Sequence, residues 1–189
     1  MPVVLNRYFI STARQKSGGC SIDIAMKKIA IYAGSFEPPT LGHLWMMRQG
    51  AMLFDELIVV FAVNPDKKGF LTTAQRQKLF ASLQAELPAN VRFVELSKGF
   101  VADFAVENGA RYLLRGIRNA ADFEYEKSMA RINASMQPGV QTVFLTPPPE
   151  LENVSSSLVR GFIGQPHWER WVKPIVPDCV FKLLTEETP

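Results

Sequence analysis

The chain has 189 residues, 47% of them hydrophobic, and a mean hydropathy of +0.02, the balance of a globular domain with a core of its own. A net charge of +3 gives no case for nucleic acid as the main partner, and no apolar run approaches the roughly 20 residues that span a bilayer. Cys20 and Cys179 make neither a disulfide framework nor a zinc pattern, and with only His43 and His167 a multi-histidine metal site is excluded. Such a composition predicts a cytoplasmic protein, in which any metal would be a hard cation carried by substrate phosphates and carboxylates.

Residues 1–26 show scattered apolar residues, a polar stretch from Ser11 to Ser21 and no clear period. They lack the apolar core and cleavage pattern of a secretory signal, and Met26-Lys27-Lys28 before the first strand reads as a natural start. Residues 1–26 are therefore expected to be an extension outside the fold, and 27–189 a single domain with a helical C-terminal end.

Ile29 to Ala33 reads as a first strand, followed by the turn Gly34-Ser-Phe-Glu-Pro-Pro-Thr-Leu-Gly-His43 and an apolar, helix-compatible segment from Leu44 to Phe54. Leu57 to Val63 is a continuous apolar run, the mark of a strand buried on both faces. After the loop Asn64–Gly69, Thr72 with Gln75 three residues on forms a capping box for a helix to about Glu86. Val91 to Leu96, Arg111 to Leu114 and Gln141 to Leu145 complete the strands. Helices are expected over Val101 to Asn108 and Ala120 to Met136, and beyond Ser155. The alternation predicts an α/β fold: a doubly wound, parallel five-stranded sheet joined by right-handed crossovers.

In such sheets ligands bind beyond the carboxyl ends of the strands. The segments falling there carry His43, Lys67, Arg115-Gly-Ile-Arg118 with the following helix, and Asn153-Val-Ser-Ser-Ser157. A glycine turn opening a helix suits phosphate, because the backbone comes close and free N–H groups face the charge. His43 in that turn would stabilise charge building on phosphate oxygens. Ser35 and Thr40 offer hydroxyls, either to a ligand or to turn and cap hydrogen bonds. Lys67 is the better phosphate ligand of the Lys67-Lys68 pair. Arg115 ends a buried strand, where its guanidinium fork needs an anionic partner. Arg118, Asp122 and Glu126 recur every four residues, which fits either an ion-pair ladder on one helix face or a substrate-binding stripe. Ser155, Ser156 and Ser157 would present hydroxyls to nucleotide phosphates. No nucleophile stands beside a base, and neither GxxxxGK[ST] nor GxGxxG occurs. The chemistry left is direct in-line attack of one phosphate on another, which needs positioning and charge stabilisation.

With Thr40-Leu-Gly-His43, Arg115-Gly-Ile-Arg-Asn-Ala-Ala-Asp-Phe-Glu-Tyr-Glu126 and Ser155-Ser-Ser-Leu-Val-Arg160 in view, the chain resembles the bacterial phosphopantetheine adenylyltransferases. These belong to the class I nucleotidyltransferases marked by [HT]xGH, with a Rossmann-like fold, and the likeness covers about Lys27 to Leu184. The resemblance implies adenylyl transfer from ATP to 4′-phosphopantetheine, giving dephospho-coenzyme A and pyrophosphate, with Mg²⁺ as cofactor and a homo-oligomer, a hexamer, as the assembly. It also implies that His43 contacts ATP and stabilises the transition state. By the same resemblance, Ser35, Lys67, Val101 and Arg115 hold phosphopantetheine. Ser35-Phe36, Gly116, Ile117, Arg118, Glu126 and Asn153-Val154-Ser155-Ser156-Ser157 would hold ATP. Val101 and Phe36 come from the resemblance alone. The chain departs from the common pattern at Ser35 (usually Thr) and Glu37 (usually Asp), and in the loops Asn64-Pro-Asp66 and Ser97–Phe100. The competing readings are another transferase of the superfamily, such as a nicotinamide mononucleotide adenylyltransferase, and a non-catalytic nucleotide-binding protein.

Overall fold

The computed structural model describes residues 26–62 and 69–187, so Lys67 and the extension before Met26 lie outside the described residues. Five strands, β1 (Ile29–Gly34), β2 (Glu56–Ala62), β3 (Val91–Leu96), β4 (Tyr112–Gly116) and β5 (Gln141–Leu145), form one parallel sheet in the order β3-β2-β1-β4-β5. Between them run α1 (Leu41–Leu53), α2 (Thr73–Ala85), α3 (Val101–Glu107) and α4 (Ala120–Met136). The chain continues through α5 (Ser156–Phe162), α6 (Glu169–Val172) and α7 (Asp178–Glu187).

The period of two in the strands divides the core. Ala30 and Tyr32 of β1, with Leu57, Val59 and Phe61 of β2, face α1 and α2 and pack on Met46, Met47 and Leu83. Ile31, Ala33, Ile58 and Val60 face the other way, onto Ala105 at α3 and onto Ala110 and Val140. Leu57 through Phe61 are each at most 1% exposed, and each large side chain so buried contributes about 1.5–3 kcal/mol. A third cluster, with Val159, Trp168, Val172, Val180 and Leu183, joins α5, α6 and α7 to Leu79 of α2. Helix α1 lies so close on the sheet at Gly50 that an added Cβ would stand 2.8 Å from methyls of Leu57 and Leu114.

Two boundaries differ from the sequence expectation in ways that bear on the cleft, and others shift by a residue. Helix α1 opens at Leu41, not Leu44, because Thr40 caps it, and this places Gly42 and His43 inside its first turn. Strand β4 runs on to Gly116, since Arg115 and Gly116 still pair with Phe144 and Leu145 of β5. The capping box Thr72–Gln75 forms as expected, with Gln75 N–H bonded to Thr72 Oγ1 at 3.3 Å.

Strand order reverses at β1, which lies between β2 and β4. The β1–β2 register covers six residue pairs, whereas β1 and β4 pair only at Ala30↔Tyr112 and Ile31↔Leu113. The sheet therefore parts at the carboxyl ends of β1 and β4, which is the topological switch point where open α/β sheets bind ligands.

Candidate active site

A cavity of about 340 Å³ opens at that parting, lined by the end of β1, the first turn of α1, the end of β4, Glu126 and the start of α5. The dominant side chains are His43, Arg115, Arg118, Asp122, Glu126 and Arg160.

His43 occupies the position of the glutamate in a capping box. Its Nδ1 accepts the Thr40 backbone N–H at 3.0 Å, while Thr40 Oγ1 takes the His43 backbone N–H. A backbone amide can only donate, so Nδ1 presents its lone pair and the ring proton sits on Nε2. Burial of the ring, reinforced by the nearby Arg118 charge, pulls its pKa from 6.5 to about 4. At neutral pH His43 is thus an uncharged imidazole with its remaining nitrogen a hydrogen-bond donor. The half-buried ring meets the edge of Phe36, with centroids 5.1 Å apart.

Phe36 itself is 1% exposed and has φ of 46°, a left-handed conformation that costs a non-glycine residue about 1–2 kcal/mol. The turn drives its ring into the core against Tyr32 and Phe61, with centroids 5.2 and 4.7 Å away. Gly34 makes room for it: a Cβ there would lie 3.0 Å from the Phe36 ring. Tyr32 lines the cavity floor with its phenol pushed well above its ordinary pKa by burial, so it stays protonated.

Arg115 has the partner its position requires. Its Nε and Nη2 donate to the two carboxylate oxygens of Glu126 at 2.7 and 2.5 Å, and its Nη1 donates to Ala33 O at 2.7 Å. The last bond ties β4 to β1 where their ladder has ended. Burial works against the guanidinium charge, but the Glu126 hydrogen bonds and charge outweigh it and hold Arg115 above its ordinary pKa. Arg118 pairs with Asp122 at 2.8 Å and depresses its pKa through that hydrogen bond. The four-residue stripe therefore resolves into two pairs: Arg118 holds Asp122, while Glu126 turns to β4. Arg160 donates to the Glu37 carbonyl and to Ser157 Oγ, and no carboxylate pairs with it among the described residues. Within this lining, it supplies the uncompensated positive charge.

The three serines differ. Ser155 is the α5 N-cap, accepting the Leu158 N–H at 3.1 Å, and Ser157 accepts from Arg160, so both keep their O–H as donors. Ser156 donates to Pro38 O at 2.9 Å and braces α5 against the turn. As the chain stands, Ser155 and Ser157 have an O–H free for a phosphate, while that of Ser156 is engaged.

Of the residues singled out from sequence, Ser35, Phe36, His43, Arg115, Gly116, Arg118, Glu126, Val154 and Ser155–Ser157 line this cavity. Ile117 does not: its N–H continues the sheet to Leu145 O at 2.9 Å. Asn153 is exposed and does not line it either. Val101 lines a second, more apolar cavity of about 250 Å³ with Phe100, Leu113, Tyr125 and Met129. The two cavities share Ala33, Arg115 and Glu126. Sequence reasoning passed over Arg160 and Tyr32 as site residues. Arg160 had a usable signal, a cation five residues after the helix cap; Tyr32, inside an apolar strand, had none.

The profile of the cytidylyltransferase-like family matches residues 31–162, and the chain belongs to that family. Within it, the chain groups with the phosphopantetheine adenylyltransferases. It is 45% identical to the phosphopantetheine adenylyltransferase of Neisseria meningitidis serogroup C over 158 residues, 84% of this chain and 92% of the relative. It is 42% identical to that of Chromobacterium violaceum over 157 residues, 83% and 95% of the two chains. In three dimensions it is similar to the Plasmodium falciparum nicotinic acid mononucleotide adenylyltransferase complexed with NaAD (TM-score 0.63, 17% identity, 85% of this chain and 95% of that one), a likeness of fold alone.

Proposed function

We propose that the protein transfers the adenylyl group of ATP to 4′-phosphopantetheine, forming dephospho-coenzyme A and pyrophosphate. A phosphate oxygen of the acceptor attacks the α-phosphorus, and the bond to the bridging α–β oxygen breaks, its electron pair leaving with pyrophosphate. The observation that carries this reading is the neutral His43, fixed by Thr40 with Nε2–H as its donor, in a cavity whose other polar groups are guanidinium and hydroxyl donors and two carboxylates already paired to arginines. A ring held in that tautomer cannot act as a nucleophile through Nε2, but it can stabilise negative charge that develops on a non-bridging oxygen. Arg160 and the O–H groups of Ser155 and Ser157 suit the departing pyrophosphate.

Arg115, on the wall common to both cavities, suits the acceptor phosphate, with the uncharged pantetheine arm laid along Val101, Phe100 and Met129. Lys67 is assigned to the same phosphate by resemblance. Both acidic residues of the cavity are engaged by arginines, so the lining fits Mg²⁺ carried on the nucleotide phosphates rather than in a protein cage. Magnesium there would offset phosphate charge.

A homo-oligomer, hexameric by resemblance, is part of the proposal. It is supported by α4, whose Phe123, Tyr125 and Ile132 are exposed at 41%, 62% and 49% while Glu126 is its buried residue. No described helix is long and apolar enough to cross a membrane. The proposal is tested with purified protein, ATP and Mg²⁺. Pyrophosphate should appear with 4′-phosphopantetheine and not with nicotinamide mononucleotide, and the reverse preference would overturn the assignment.

A further inference from the structure

Arg76 of α2 carries the one buried side-chain nitrogen or oxygen without a hydrogen-bond partner among the described residues, its Nε. The residue is 7% exposed; its Nη2 reaches only Thr73 Oγ1 of its own helix, at 3.3 Å, and its ion pair with Glu37 Oε1 is a loose 3.5 Å. A buried guanidinium so poorly paired costs stability, and an apolar side chain of similar length often serves a fold as well or better. What the arrangement does is hold Glu37. The Glu37 carboxylate lies between Arg76 and the chain entering α2, where Phe70 N–H donates to Oε2 at 3.3 Å. Gly69 packs so closely there that an added Cβ would stand 2.9 Å from Oε1. The carbonyl oxygen of the same glutamate accepts Nη1 of Arg160.

We propose that Arg76 and Glu37 are positioning residues that act in series on Arg160. Arg76 fixes the Glu37 side chain, Glu37 fixes the turn between β1 and α1, and the turn presents the carbonyl that aims Arg160 at the departing phosphates. The inference rests on the adenylyl-transfer reading above. Arg160 lines the polar cavity, whereas Arg76 and Glu37 are not among its lining residues. Only neutral acceptors hold Arg160, the Glu37 carbonyl and Ser157 Oγ, so its direction depends on where the turn stands. Of the five N–H groups of an arginine those bonds use two, and the rest are left for phosphate oxygens. The turn is fastened elsewhere by Ser156, bonded to Pro38 O at 2.9 Å, and by the buried Phe36 ring, so releasing Glu37 disturbs the aim of Arg160 without unmaking the fold. Arg115, which suits the acceptor phosphate, is held by Ala33 O and Glu126 and shares no partner with Glu37. The effect should therefore fall on the nucleotide.

The test compares the purified wild type with Arg76→Met and Glu37→Gln, reading KM for both substrates, inhibition by free pyrophosphate, and the thermal midpoint. Methionine removes the charge and the unpartnered N–H together, while glutamine keeps an acceptor for Phe70 N–H and loses the charge. Expected for Arg76→Met is a rise of about fivefold or more in KM for ATP and in the inhibition constant for pyrophosphate, with KM for 4′-phosphopantetheine within about twofold. Its thermal midpoint should be no lower than that of the wild type. Glu37→Gln should show the same split at smaller size. Arg160→Met should mask the effect: adding Arg76→Met to it should raise KM for ATP little further. A lowered midpoint with every kinetic constant unchanged would mean a purely structural pair and overturn the inference. Equal rises for the two substrates, or full additivity with Arg160→Met, would overturn it too. Should Arg76→Met not fold, Glu37→Gln, at a partly exposed position, decides between the same outcomes. Failure of the wild type to use 4′-phosphopantetheine is a separate result, and defeats the functional reading itself.

Discussion

His43 is where the chemistry of a single residue is best defined. Its ring closes the N-terminus of α1 and faces a polar cavity, and the first task sets its state for the second. In the folded chain it resists protonation until about pH 4, against 6.5 for the free side chain, so between those values the unfolded chain binds a proton the folded one does not. Stability must then fall as pH drops through that window and rise again with pH, by the sign of the linkage. Three measurements follow. Imidazole resonances of His43 should show the Nε2–H tautomer and remain those of a neutral ring from pH 8 to about pH 5. The denaturant midpoint should drop more between pH 7 and pH 5 in the wild type than in His43→Gln. His43→Ala should lower kcat by about a hundredfold or more, the effect of removing one transition-state donor; an unchanged kcat would remove the ring from that role. The sequence showed the position of His43 but not its cap, because a capping box is recognised by Glu or Gln at N3 and histidine falls outside that pattern.

At the scale of elements, the strands and the long helix α4 were legible because their patterns are local. Val91–Leu96, Gln141–Leu145 and Ala120–Met136 agree with the sequence reading residue for residue. The Thr72–Gln75 box marked the start of α2 in the same way. What escaped were contacts between elements. Arg118, Asp122 and Glu126 have helical spacing, so the spacing alone left an ion-pair ladder and a substrate-binding stripe both open. Glu126 leaves the ladder because β4 delivers Arg115 beside it from another element, and no periodicity along α4 reports that. Gly50 is a similar case: it looks like an ordinary weak point in a helix, and only the assembled layers show that it sets the distance between α1 and the sheet. Gly50→Val should meet Leu57 and Leu114, both fully buried, and cost about 1–3 kcal/mol by overpacking. At about 2–4 °C per kcal/mol for a chain of this size, a thermal scan would register a fall of several degrees. An unchanged midpoint would mean that α1 can lift from the sheet without loss.

For the whole molecule, topology does most of the work. Strand order alone brings the turn after β1 and the end of β4 together, so residues more than 70 positions apart, such as His43 and Arg115, line one cavity without any local signal linking them. That gathering of polar segments could be inferred from alternating elements, whereas the second cavity could not, since Phe100 reads as part of a loop and Leu113 as an ordinary strand residue, with nothing local to join them. The exposed apolar residues of α4 carry an expectation of their own. Light scattering should give a mass near six times the 21.2 kDa of one chain, and Ile132→Asp should shift it to smaller species. A single-chain mass for the wild type would refute the proposed assembly.

The wall between the two cavities has one more implication. Because Arg115 and Glu126 belong to both, any adjustment of that wall by one occupant is presented to the other. Any coupling of two ligands through it is reciprocal: whatever factor the first to arrive imposes on the affinity of the second, the second imposes in return on the first. Reciprocity of this kind needs no moving domain and no distant effector, only an ion pair with ligand space on each side.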